Sequence, residues 1–327
     1  MKRIAINGFG RIGRSSLKVI FEDEDIELVG INDLMSIENA VFLLQYDSVY
    51  GKYDKKITTQ GDLIIIDDKP IKYTSIKDPG ELPWKDLNVD VVIESTGIFT
   101  NKSDAEKHIT AGARFVVISG PTKDTPTVVH GVNTQEGKVS IFSCASCTTN
   151  NISPIIEILG RRIGIKKAIL NTTHAYTASQ SLVDGPSKKE PRMGRAAGIN
   201  LAPAATGAAI ATTKALPQYL NKFDGVAVRV PVTVGSISDI TFISERPTSV
   251  KEINDILKEE SDSSRYREIV SVTDEPLVST DIRKSPFAAI VDLEMTRVVD
   301  GDLVKVMAWY DNEWGFTNQM IRQIRSL

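Results

Sequence analysis

Three glycines near the start of the chain set the first constraint on its fold. Ile4-Ala5-Ile6 is a short apolar run that runs directly into Asn7-Gly8-Phe9-Gly10-Arg11-Ile12-Gly13-Arg14. Gly8, Gly10 and Gly13 fit the G-x-G-x-x-G spacing between a strand and a helical segment, Ile12 to Phe21. The first glycine allows a tight turn, the second lets the backbone approach a pyrophosphate, and the third lets helix and strand pack closely. The helix start then turns its free amides toward the phosphates. Glu27 to Asn32 reads as a second strand, and Asp33 follows it, about 20 residues past the last glycine. A carboxylate there accepts hydrogen bonds from adenosine ribose hydroxyls and repels a 2′-phosphate, so the pattern favours NAD over NADP.

Further strands come with crossovers between them. Val89 to Glu94 is a buried-strand run ending in Ser95-Thr96-Gly97, and Phe115 to Ser119 is another, stopped by Gly120-Pro121. Between them Ser103-Asp104-Ala105-Glu106 reads as a capping box opening a helix to about Ala111. Strands alternating with helices imply an open parallel sheet. Its ligand crevice lies at the carboxyl ends of the strands, where Asn7, Asp33, Thr96 and Ser119 are expected together. Tyr50 to Ile76 shows short β runs and turns, and is read as an inserted pair of strands or more.

Composition narrows the function classes. At 327 residues, 41% hydrophobic and 25% charged, the chain is expected to form two domains. A net charge of −3 gives no electrostatic case for nucleic acid or a membrane surface, and the pairs Lys166-Lys167 and Lys188-Lys189 read as solvated surface. No apolar run approaches the roughly 18 residues of a membrane span. Two cysteines cannot make a disulfide framework, and a single Cys-x-x-Cys is a poor zinc site, so no metal is expected. With a strand beginning at the first residues and no room for a signal peptide, a cytoplasmic location is expected.

Both cysteines lie in Ser143-Cys144-Ala145-Ser146-Cys147-Thr148-Thr149-Asn150-Asn151, which joins a β-rich run (Lys138 to Phe142) to a helical one (Ile152 to Leu159). A thiol at a helix N-terminus meets free amides and the positive end of the helix dipole, which favour its thiolate. A buried cysteine serving as a small apolar side chain is the competing local reading. A nucleophile also needs a proton partner, and the chain has three histidines. His108 falls within the capped helix and is expected to face solvent, and His130 closes the Val128-Val129 run. That leaves His174, at the end of a β-branched run from Ile169 to Thr177, as the candidate by elimination. A Gly/Pro/Lys-rich loop follows, Asp184 to Gly198, with arginines at 192 and 195. Ala202 to Ala209, which includes Thr206-Gly207, reads as a helix opening suited to an anion, and Gly225 to Pro231 as a strand carrying Arg229. The remaining strand runs suggest an α+β domain with a mostly antiparallel sheet.

With these residues in view the chain resembles the phosphorylating glyceraldehyde-3-phosphate dehydrogenases. The motifs that carry the resemblance are Ile6 to Arg14, Ala145 to Asn150, Thr173 to Thr177, Arg229-Val230-Pro231 and Trp309 to Gly315. The resemblance implies NAD as cofactor and glyceraldehyde 3-phosphate and inorganic phosphate as partners. It also implies a homotetramer, with residues 1–147 and 314–327 forming a Rossmann-type cofactor domain and 148–313 a catalytic domain. Cys147 would attack the aldehyde, and His174 would pair with the thiolate and then act as base. Gly8, Gly10, Arg11, Ile12, Gly13, Asp33, Lys77, Thr96, Ser119 and Asn312 would contact the cofactor. Thr177 and Arg229 would hold the substrate phosphate, with Ser146, Thr148, Thr206, Gly207 and Arg195 around the attacking phosphate.

The departures from the family pattern are Cys144 for a usual Asn, Asn151 for a second Cys, Lys77 for an Arg, and Phe316 for a Tyr. In the arginine loop, Met193 stands at the second arginine, with one extra residue upstream. A weakened phosphate site fits a relative that takes erythrose 4-phosphate and releases the acid by hydrolysis, but Thr177 and Ala205-Thr206-Gly207 favour the glyceraldehyde enzyme. Aspartate-semialdehyde dehydrogenase shares the chemistry but prefers NADP, which Asp33 disfavours. A non-catalytic NAD-binding protein is the alternative from a different class.

Overall fold

A computed structural model describes residues 1–133, 139–187 and 190–327. Lys138, the expected start of one strand run, and the Lys188-Lys189 pair lie outside the described residues. The chain divides into two compact units. One comprises Met1–Val128, Thr134–Ala145 and Met320–Leu327; the other comprises Val129–Asn133 and Ser146–Gln319.

In the first unit, β1 (Lys2–Asn7), α1 (Arg11–Ile20) and β2 (Ile26–Asn32) follow the glycine pattern. α2 (Ile37–Gln45), the small ribbon β3 (Tyr46–Asp47) and β4 (Gly51–Lys52), and the strands β5 (Ile57–Gln60), β6 (Leu63–Ile66) and β7 (Lys69–Thr74) form the insertion. β8 (Val91–Glu94), α3 (Lys102–Thr110), β9 (Phe115–Ile118) and β10 (Ile141–Ser143) complete it. The sheet runs β10-β9-β8-β1-β2-β7-β6-β5, parallel from β10 to β7 and antiparallel beyond. β1 and β8 are buried along nearly their whole length, as a sheet covered on both faces requires. The strand order reverses at β1, so a crevice opens beside its carboxyl end.

Two local expectations fail in this unit. α3 is capped by Asn101, whose side chain accepts from Asp104 N, so the helix begins before Ser103. Its His108 is fully buried instead of facing solvent, because that face of α3 packs on the sheet and Trp84.

The second unit contains α4 (Cys147–Arg162), β11 (Ile165–Ala175), β12 (Ala202–Ala205), α5 (Ala208–Ala215), β13 (Phe223–Val230) and β14 (Ser236–Ser244). Then come α6 (Val250–Ser261), β15 (Val270–Thr273), β16 (Ala289–Val299), β17 (Leu303–Tyr310) and α7 (Trp314–Arg325), whose last residues belong to the first unit. The sheet order is β12-β13-β11-β14-β17-β16-β15, and four of its six pairings are antiparallel. Its core joins Ile155, Leu159, Leu170, Phe242, Leu257 and Val304. Ala202–Ala205 is an edge strand and not part of a helix; α5 begins only after Gly207, once Pro203 and its neighbours have paired with β13. β11 and β13 run parallel and close together. A Cβ on Gly225 would come within 2.7 Å of Leu170 Cβ, and the register sets His174 beside Arg229.

Among the described residues no helix is long and apolar enough to cross a membrane. Nor, among the described residues, is any group of three His, Cys, Asp or Glu side chains placed to hold a metal ion.

Candidate active site

The turn that delivers Cys147 is strained. Ala145 has φ 59°, left-handed backbone that side-chain-bearing residues rarely adopt. Ser146 then caps α4, its hydroxyl accepting from Thr149 N at 3.1 Å, and Cys147 is the first helical residue. Its Sγ lies 3.4 Å from His174 Nε2. Cys147 keeps partial exposure, yet burial is the largest influence on the thiol and pushes it up; the Arg229 guanidinium and hydrogen bonds with Thr148 oppose this. The downward shift expected from a helix start alone is therefore outweighed. Cys144, which follows β10, is buried and pushed up to about 12. Neither cysteine is in a disulfide.

His174 ends β11 with its ring inside the protein, 5% exposed. Burial, then the Arg229 charge, lowers it to about 4. Arg229 Nη1 approaches His174 Nδ1 at 2.6 Å and donates to Ala175 O at 3.0 Å. Arg229 Nε is buried without a hydrogen-bond partner. Tyr310 is the residue missed in the sequence. Its motif stands out there, but only the fold shows that its hydroxyl bridges Thr148 Oγ1 (2.8 Å) and Thr172 Oγ1 (2.9 Å). Its ring also meets His174 edge-on, centroids 5.9 Å apart. The start of α4 is thereby tied to the strand that carries the histidine.

Asn312 is oriented from one side. Its Oδ1 accepts from Gly235 N at 3.1 Å and Ser236 Oγ at 3.2 Å, so the amide group is what it presents as a donor. The remaining anion candidates have local partners. Thr177 Oγ1 bonds Ser179 Oγ at 2.9 Å, and Thr206 Oγ1 accepts from Ala208 N at 3.2 Å. Gly207 starts α5 with no side-chain cap, which leaves helix amides available to an anion. Arg195 pairs with Asp184 at 2.9 Å in the surface loop, and Arg192 faces Glu190 at 3.7 Å. Close contact thus joins Cys147, His174, Arg229 and Thr148.

In the other unit, Asn7, Gly8, Gly10, Asp33, Lys77 and Thr96 line a cavity of about 650 Å³ at the strand ends. Ser119 is not among its lining residues; its amide donates to Glu94 O at 2.9 Å. Gly8 has φ 94°, and a Cβ there would sit 2.5 Å from Thr96 N. Gly13 has no room for a Cβ either, with Gly8 O at 2.2 Å. Gly10 faces open space, and α1 starts there without a side-chain cap. This cradle of bare backbone fits a dinucleotide pyrophosphate. Asp33 accepts from Phe9 N (2.6 Å) and Met35 N (2.9 Å), which locks its carboxylate at the cavity edge. Arg11 pairs with Asp47 at 2.7 Å, and its guanidinium lies over the Tyr50 ring.

Comparison with known proteins agrees with this geometry. Residues 2–102 match the family model for the glyceraldehyde 3-phosphate dehydrogenase NAD binding domain, and 146–312 match the model for the C-terminal domain. The chain belongs to the glyceraldehyde-3-phosphate dehydrogenase family. It is 46% identical to glyceraldehyde-3-phosphate dehydrogenase of Thermotoga maritima, over 100% of this chain and 99% of the relative. It is 43% identical to that of Zymomonas mobilis over 98% and 96%. With glyceraldehyde-3-phosphate dehydrogenase 1 of Candida glabrata it shares 42% over 99% and 98%. As a family member it is an oxidoreductase with NAD as cofactor. Two departures from the family pattern have visible consequences. Asn151 donates to Ala288 O (3.2 Å) and Trp309 O (3.3 Å), tying α4 to the sheet, and Phe316 is buried.

Proposed function

We propose that the chain oxidises glyceraldehyde 3-phosphate to an acyl phosphate, with Cys147 as nucleophile and His174 as its proton partner. The observation that carries this is the 3.4 Å contact between Cys147 Sγ and His174 Nε2, with Arg229 behind the imidazole. At rest the pair is a thiol and a neutral imidazole, since burial disfavours both charges. The thiol proton passes to Nε2 as sulfur bonds the aldehyde carbon, and Nε2 returns it to the carbonyl oxygen to give a hemithioacetal. Nε2 then takes the hydroxyl proton as the hydride leaves. NAD, when bound, supplies the hydride acceptor. The resulting thioester is cleaved by inorganic phosphate, and the thiol is regenerated.

Arg229, with its unpaired buried Nε, and Thr177 hold the substrate phosphate. Ser146, Thr148, Thr206 and Gly207 surround the attacking phosphate, which Arg195 reaches only by leaving Asp184. Asn312, with its oxygen already bonded, offers its amide to the nicotinamide carboxamide. Gly8, Gly10, Arg11, Ile12, Gly13, Asp33, Lys77, Thr96 and Ser119 serve the remainder of the cofactor. The cofactor domain is 1–147 with 314–327, and 148–313 is catalytic.

Self-association into a homotetramer is supported by the segment bearing Leu182, Val183, Ile199 and Leu201, each 70% or more exposed. Two cysteines outside any disulfide support a reducing, cytoplasmic setting. The test is NADH formation from glyceraldehyde 3-phosphate and NAD, with and without inorganic phosphate. Sustained turnover only with phosphate is the expected result; equal turnover without it would sink the acyl-phosphate reading.

A further inference from the structure

Beneath the cavity lies a buried side-chain network that the chemistry at Cys147 does not use. Glu94, at the end of β8, is 2% exposed and does not line the cavity. One of its oxygens, Oε2, accepts from Asn7 Nδ2 at 2.6 Å and from His108 Nε2 at 3.0 Å. The other, Oε1, accepts from Thr96 N at 2.8 Å and from the Thr96 hydroxyl. The histidine tautomer follows from Trp84. The indole N–H can only donate, and it points at His108 Nδ1 at 2.9 Å, so the ring proton sits on Nε2 and faces Glu94.

From Asn7 the network continues across the strand ends. Asn7 Oδ1 accepts from Asn32 Nδ2 at 2.8 Å, and Asn32 Oδ1 accepts from Thr74 Oγ1 and Ile76 N, each at 2.9 Å. Thr96 Oγ1, with its proton committed to Glu94, accepts from Ile98 N at 3.1 Å. Ser95 Oγ donates to Gly8 O at 2.7 Å. Asn7, Gly8, Asn32, Ser95, Thr96 and Ile98 all line the cavity.

We propose that Glu94, held by His108 and Trp84, is a positioning residue for the dinucleotide. Its carboxylate collects four donors and thereby fixes both Asn7 and the Thr96 turn against the glycine loop. A site held this way meets its ligand already ordered, and its fully satisfied network resists rearrangement. A glutamine offers one acceptor oxygen and one NH₂ group, so two of the four donors would face another donor. The inference rests on the reading that this cavity holds NAD.

The test is calorimetric titration of NAD into the full-length protein, with steady-state kinetics alongside. Glu94→Gln is expected to raise the Kd for NAD about 10-fold or more, as loss of a charge-assisted hydrogen bond does. The KM for NAD should move by more than kcat. Combined with Thr96→Val, the effects should fall short of additive, because both act through the same bonds. Trp84→Phe keeps an aromatic ring at this position but drops the N–H that sets the His108 tautomer; a rise of about two- to fivefold is expected, and this variant decides the matter if Glu94→Gln does not fold. Folded variants that bind NAD as the parent does, or fully additive effects, would overturn the proposal. Asp33→Ala separates the two readings. If it alone weakens NAD binding, the cavity reading stands and the role of Glu94 is wrong. If neither Asp33→Ala nor Glu94→Gln matters, the cavity reading itself fails.

Discussion

Two histidines are buried in this chain, one in each unit, and they are surrounded by opposite charges. His108 sits between an indole N–H and the Glu94 carboxylate, so both ring nitrogens are spent on scaffold. His174 has a thiol at one nitrogen and a guanidinium at the other, and it is pushed down to about 4. Burial alone therefore does not mark a reactive histidine. What distinguishes His174 is that one nitrogen faces a group able to give up a proton, while burial and a cation at the other keep the ring neutral and ready to accept it.

The sharpest way to break this comparison is to remove each ring in turn. His174→Asn should lower kcat by about 10²–10⁴-fold, the usual size of a lost general base. His108→Asn should act through stability and NAD affinity instead. A His174→Asn enzyme that keeps more than a tenth of its turnover would put the two histidines in one class.

A smaller effect concerns stability against pH. The folded value of His174 lies below the unfolded value of about 6.5, so the unfolded chain takes up the proton first. Stability linked to this residue is complete above about pH 6.5 and is lost as pH falls toward 4, by about 3 kcal/mol. Denaturant midpoints of the parent and His174→Gln across that window provide the check: the parent should lose more stability than the variant. Parallel curves would show that His174 is not held neutral.

The least effect is expected in the arginine loop. Arg195 is bound to Asp184 in an exposed pair, which solvent screening leaves weak. While that pair persists, Arg195→Ala should change the KM for inorganic phosphate less than about twofold, and Met193→Arg should lower it by adding a charge-assisted contact. A large rise in that KM on Arg195→Ala would mean that the arginine leaves Asp184 during turnover.

Much of this architecture is legible residue by residue. Asn7 to Arg14 admits few backbone paths, because Gly8 and Gly13 pass where no Cβ fits and Gly10 must stay open to a ligand. Cys147 reads as lying at a helix start, and the structure places it there, with Ser146 as the cap. Other positions mislead for a stated reason. Ser103-Asp104-Ala105-Glu106 has the capping pattern, but Asn101 two residues earlier takes the cap. Ala202 to Ala205 has helix-forming alanines, yet an available edge on β13 draws it into the sheet.

The sequence by itself determined the strand–glycine–helix unit and the helix start at Cys147, because these depend on local sterics, capping and periodicity. The tertiary structure alone decided which side chains meet. His174 and Arg229 lie 55 positions apart and are neighbours only because β11 and β13 pair in parallel register. Tyr310 reaches Thr148 across 162 positions, and Glu94 is satisfied by Asn7, 87 positions before it. Such partnerships follow from how layers pack and strands align, and no window of local sequence contains both partners.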